Sequence, residues 1–220
     1  MQQIRVPGFK QVLASAMLEQ HGFLINSQHA RPIIWALMVL ISAPDLCAAR
    51  VASVELDSEH EWSSYEDLMY IRAYWEAKRS GRFAPRRADI DPADLKELLP
   101  RIMLADVSSS DPLDFRYRLS GTALNAMLSG EQTGKRPRDL APPAYGAMVH
   151  AHYSLAVERR EPIFHLVMLD SRDRVLTYAR LLLPLSEDGA RVTMLISVHS
   201  KLENSRALRD FFLNARRPLS

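Results

Sequence analysis

From Ser63 onward the hydrophobic and polar positions fall into an orderly series. Trp62, Tyr65, Leu68, Met69 and Trp75 recur at helical spacing, with serines and acidic residues before them and Lys78 and Arg79 after them. That placement suits the helix dipole and predicts a helix over 63–79 that ends at Gly81. Asp91-Pro92 then pairs a capping residue with a proline at the first helical position, and Pro100 stops the turn. This predicts a second, short helix. Arg101–Val107 reads as a strand and Ser108–Pro112 as a loop. Phe115, Tyr117 and Leu119 alternate with Arg116 and Arg118, the period of a half-buried strand with charge on its wet face. The two strands are expected to form a hairpin. Gly121-Thr122 opens a short helix with Ala123, Leu124, Met127 and Leu128 on its apolar face, closed by Gly130. Residues 134–140 give a turn or short helix. Pro142–Arg160 predicts a longer helix with Tyr145, Met148, Val149, His152, Leu155 and Ala156 on one stripe. Strands follow at 162–169, 175–185 and 192–199, joined by short polar turns, and Asn204–Arg216 predicts a last helix carrying Leu208, Phe211 and Phe212. The order predicts an α+β fold: a five-stranded antiparallel sheet with short helices over one face and flanking N- and C-terminal helices.

Residues 1–61 have a different character. Val12–Leu18 suits a short helix, and the uncharged run Pro32–Pro44 is bounded by prolines. That run is shorter than the roughly 20 residues a membrane-spanning helix needs. It lies too far from the start, with no basic stretch directly before it, for a secretory signal. Arg50–Glu61 reads as a mixed link. Residues 1–61 are expected to be an extension, either an interaction segment, a disordered one, or a stretch ahead of the natural start, for which Val51, Val54 and Leu56 are candidates. The domain is expected over 62–200, with a C-terminal helix in 201–220.

Composition narrows the function classes. Of the 220 residues, 47% are hydrophobic, enough for a real core and too many for a disordered chain. Net charge is only +2, which argues against a nucleic-acid binder. Cys47 is the lone cysteine, so no internal disulfide can form, and a cytoplasmic, reducing location is the simplest expectation.

The stretches YWEAKRSGRFAPRRADIDPADLKELLPRIMLADV, FRYRLSGTAL, TGKRPRDL and LLLPLSEDG together resemble the standalone bacterial PAS-type domain found mainly in alphaproteobacteria. The resemblance covers about Tyr65 to His199. It implies a PAS-like fold in which the short helices after the second strand wall a cavity above the sheet. It also implies a sensory or regulatory module acting through protein–protein interaction, as a homodimer or with a signalling partner, and not an enzyme. A small ligand in the cavity is a candidate gate, with Leu124, Met127, Tyr145, Met148 and Phe164 as the expected lining. About 20 residues follow the last strand, too few for an output domain, which again points to output by contact. The aromatic first helix (Trp62, Tyr65, Tyr74, Trp75) and the last helix (Leu208, Phe211, Phe212) are candidate interfaces or, equally, helices packed on their own sheet.

The candidate chemistry is sparse. Some PAS domains hold haem through a histidine on the long helix, which makes His152 the cofactor candidate. The alternative function is therefore a haem- or other chromophore-binding sensor, although a core histidine bonded to a neighbour is commoner. His150 and His152, two apart on a helix, point in separated directions and would not share a metal ion. The domain has no cysteine for a flavin adduct of the light-oxygen-voltage type. Arg82 and Arg86 with Asp106 and Ser108 loosely resemble a cyclic-dinucleotide motif, but Asp111 stands where that motif ends in glycine. The arginines read better as a solvated face. No phosphate loop, nucleophile elbow or zinc spacing is present. The identity of any cofactor stays open.

Overall fold

The computed structural model describes residues 51–56, 62–108, 113–171 and 175–215. The expected Val12–Leu18 helix, the Pro32–Pro44 run, Cys47 and the tips of two turns lie outside these residues. The elements are β1 (Val51–Glu55), α1 (Glu66–Arg79), β2 (Ile102–Ser108), β3 (Asp114–Ser120), α2 (Thr122–Met127), α3 (Pro143–Arg159), β4 (Ile163–Asp170), β5 (Val175–Leu185), β6 (Met194–His199) and α4 (Ser205–Ala215). The segment expected to be a second helix forms two 3-10 turns instead, Pro92–Leu95 and Leu99–Arg101. Asp91 does cap the first of these, accepting from the Ala93 amide at 2.8 Å. With apolar anchors at Ile90, Leu95 and Leu98 and a proline at each turn's start, the segment lies flat against the sheet.

The sheet is antiparallel throughout and has six strands, not five, in the order β1-β4-β5-β6-β2-β3. The hairpin β2–β3 and the meander β4–β5–β6 follow the expectation. The added strand is β1, from the stretch read as a link; Val51 through Glu55 pair with Leu169 through His165. Five residues are too short for a periodicity to stand out.

Helices cover both faces, the flanking N-terminal helix on one and the short helices on the other. α1 and the 3-10 turns pack on one face through Leu68, Ile71, Trp75, Leu95 and Leu98. α2, α3 and α4 pack on the other through Leu124, Met127, Val149, Tyr153, Leu208 and Phe212. Burial follows from this. All eight residues of β4 are buried, so its sequence carries no alternation, as expected for a strand covered on both sides. The edge strand β3 keeps the alternation over its first part, with Phe115 and Tyr117 inward and Arg116 and Arg118 exposed, but Leu119, expected inward, is 45% exposed, because the β2–β3 register shifts between Leu104 and Ala105.

Two glycines are required by contact. A Cβ on Gly121 would sit 2.3 Å from the Pro100 carbonyl oxygen and 2.4 Å from that of Leu99, so the exit from β3 is closely packed under the second 3-10 turn. Gly121 has an ordinary φ of −63°, so closeness and not a sharp bend demands glycine. A Cβ on Gly146 would meet the carbonyl oxygens of Arg138 and Leu140 at 2.7 and 2.8 Å, which fixes how near α3 lies to the preceding turn.

Candidate functional site

Sheet register places one polar row across the face under α3. Glu55 of β1 pairs with His165 of β4, His165 with Arg180 of β5, and Arg180 with His199 of β6. Directly opposed residues have Cβ atoms about 5 Å apart, so the side chains share one strip of surface. His165, Arg180 and His199 are 3%, 1% and 2% exposed. His152 comes down from α3 onto this strip. Its ring stacks on His165 at 3.6 Å between centroids, its Nε2 bonds Ser53 Oγ at 2.9 Å, and its Nδ1 accepts from Arg180 Nη2.

Four buried tyrosines complete the layer. Tyr145 and Tyr178 hydroxyls bond each other at 2.7 Å, Tyr178 stacks on His199 at 4.9 Å, and the Arg180 guanidinium lies 5.9 Å from the centre of the Tyr153 ring. Tyr117 meets Tyr153 edge-on at 6.3 Å. Burial pushes all four phenols up, so they stay protonated and able to donate. Burial, and then the Arg180 charge, holds His152 and His199 far below the usual histidine range and lowers His165 to about 3. All three rings are neutral at pH 7.

The layer is thus built around one cation. An arginine side chain stays protonated in proteins, and burying it without a counter-charge is costly. Among the described residues no carboxylate pairs with Arg180, and its Nη2 bonds the neutral His152. The neighbouring charges are already matched. Arg159 pairs with Glu55, and Arg101 pairs with Asp67 at 2.5 Å while also donating to the His199 carbonyl at 2.7 Å. Arg180 Nε, His165 Nδ1 and His199 Nδ1 are buried and have no hydrogen-bond partner.

The residues singled out from sequence divide. Leu124, Met127 and Tyr145 are buried on the α3 side, with Met148 packed against them. Phe164 is a correction, because it lies on the opposite face, where Trp62 stacks on it at 5.6 Å. In β4 the odd positions Ile163, His165 and Val167 face α3 and the even ones face α1, a parity hidden by the uniform burial of the strand. His152 sits on the inner stripe as expected, but both ring nitrogens are engaged, which does not fit an axial haem ligand. His150 packs edge-on against Phe115 at 5.2 Å, apart from the layer. Among the described residues no cluster of three His, Cys, Asp or Glu side chains is placed to hold a metal ion.

The helices named as interfaces largely pack on their own sheet. Trp75 is 2% exposed and donates to the Pro184 carbonyl at 2.7 Å, and Leu208 and Phe212 are buried. Arg82 pairs with Asp89 at 2.6 Å and bonds the Lys78 and Arg79 carbonyls, so it closes the end of α1. Sequence reading missed Ser53, Tyr153, His165, Tyr178, Arg180 and His199. One signal was available: Arg180 is the single charge in the apolar run VLTYARLLLPL, and such a residue in a buried strand is uncommon.

The PAS domain family matches residues 64–198, and the chain belongs to that family. Solved structures to which the chain shows similarity include an RNA-binding light-oxygen-voltage receptor (18% identity, TM-score 0.38), of which the match covers 36% against 56% of this chain. Others are the light-state LOV domain of Aureochrome1 (12% identity, TM-score 0.35, 55% of this chain and 94% of that one) and the PAS domain of Bordetella pertussis BvgS (15% identity, TM-score 0.36, 68% and 98%). The sequence matches no curated protein. No helix among the described residues is long and apolar enough to cross a membrane.

Proposed function

We propose that this chain is a cytoplasmic, non-catalytic PAS regulatory module that acts through protein contact, as a homodimer or on a signalling partner, and is gated by a small ligand in the layer under α3. The observation that carries this is a continuous path from that layer to the terminal helix. Tyr178 stacks on His199 of the Arg180 strip; Tyr178 bonds Tyr145; and the Tyr145 ring meets Phe212 of α4 edge-on at 4.8 Å. α4 lies outside the family match yet is anchored on the domain by Leu208 and Phe212, with Leu213 45% exposed. A helix held by two apolar anchors can shift between two packings, and a ligand biases such a pair only through different affinity for each.

Light scattering of the full chain tests this reading. A concentration-dependent dimer that Leu213→Asp converts to monomer supports it. A strict monomer, with no partner recovered by affinity capture through α4, contradicts it.

A further inference from the structure

We propose that Arg180 is the recognition element for a small organic carboxylate, which binds between α3 and the sheet and takes the place of His152 on the guanidinium. The inference deepens the sensory reading above by naming the ligand's chemistry, and it rests on that reading for its consequence in α4.

Three observations carry it. The first is charge. Arg180 is 1% exposed and has no carboxylate partner among the described residues, while the adjacent Arg101 and Arg159 are each paired with their own acid. One unmatched positive charge calls for one negative charge, which fits a monocarboxylate better than a phosphate dianion. The second is geometry. A carboxylate binds the guanidinium through two parallel N–H groups. His152 occupies only Nη2, and Nε is buried and free. The third is the character of the surroundings. His165 Nδ1 and His199 Nδ1 flank Arg180 on the neighbouring strands, both without a partner, and a neutral imidazole can donate from that nitrogen. The protonated phenols of Tyr145 and Tyr178 bond each other, which leaves one hydroxyl proton of that pair to donate, and the Tyr153 phenol supplies another. Such a lining welcomes an anion and repels a cation. Leu182, Val149 and Leu195 nearby suit an apolar body on the acid.

Binding has a structural consequence. Once Arg180 turns to the carboxylate, His152 loses its buried partner. His152 is also the residue through which α3 bonds Ser53 of β1, so the change reaches both the edge strand and the helix.

Thermal unfolding of the full chain tests the proposal with acetate, propionate and benzoate against acetamide, propionamide and benzamide, and against sodium phosphate and chloride at matched ionic strength. At a hundred times its dissociation constant, at least one carboxylate is expected to raise the midpoint by about 5 °C or more. The amides, phosphate and chloride are expected to leave it unchanged. Arg180→Met is expected to fold without ligand, because replacing an unmatched buried charge by an apolar side chain is often neutral or stabilising, and to lose the response. His199→Gln, which keeps the charge, is expected to weaken the response about tenfold, and it serves if Arg180→Met does not fold. Equal shifts from acids and amides, a response to phosphate alone, or no shift from any carboxylate overturns the proposal. Light scattering reads the sensory reading separately, so a monomer that binds benzoate and a dimer that binds no acid are distinguishable results.

Discussion

The two faces of the sheet are built from the same strands and do different work. Under α1 the interior is aliphatic and aromatic: Leu166, Ala179, Leu181, Leu183, Ile196 and Val198 meet Leu68, Ile71 and Trp75. Under α3, one residue further along each strand, lie His165, Arg180, Ser197 and His199. The first face gains stability from burial at about 25 cal/mol per Å² and asks for no special geometry. The second carries a guanidinium and three desolvated imidazoles, which cost stability and persist only where every group is placed. Among the described residues the large buried polar groups gather on the α3 face, while the centre of the α1 face is apolar.

The difference can be broken most forcefully from the scaffold side. Trp75→Ala removes a buried ring and leaves the Pro184 carbonyl without its donor, and urea unfolding is expected to show a loss of about 3–5 kcal/mol. The carboxylate response is expected to survive below the shifted midpoint, because the change is on the opposite face. A lost response with an intact fold would mean that the faces are not separable.

Acid acts on the other face. His152, His165 and His199 all have folded pKa values held below the unfolded value near 6.5. The unfolded chain therefore binds more protons below pH 6.5, and stability falls as pH falls. Each neutral histidine contributes about 1.4 kcal/mol per pH unit to that slope, for His165 down to about pH 3. Denaturant midpoints between pH 7 and 5 are expected to drop steeply, and His165→Gln is expected to make the curve shallower. A flat profile would contradict the assignment of buried neutral rings.

Smaller effects sharpen the picture. Tyr178→Phe deletes one hydroxyl and its bond to Tyr145, for an expected cost of about 1 kcal/mol in equilibrium unfolding. Leu213→Asp is expected to change monomer stability by no more than about 0.5 kcal/mol, because the side chain is exposed, while changing self-association.

Much of the fold could be read from the chain, because α1, α3, the β2–β3 hairpin and the β4–β6 meander are long enough for period and punctuation to show. β1 could not, since five residues in a mixed stretch are too few to show a period. The site was less accessible. Tyr145, Leu124 and Met127 stand on helical stripes, where spacing states the inward direction. Strands covered on both faces lose that information, which is why the sequence does not show that Phe164 faces α1. His165, Arg180 and His199 are spread over 35 residues of sequence and meet only through the register of three strands, which no local pattern specifies.

The most direct test of a working α3 face is amide hydrogen exchange in α4, comparing the native chain with Tyr178→Phe. If the buried layer is coupled to the terminal helix through Tyr145 and Phe212, residues 205–215 will exchange faster in the variant while α1 is unchanged. Unchanged exchange in α4, or an equal rise in α1 and α4 from general loosening, would contradict the account.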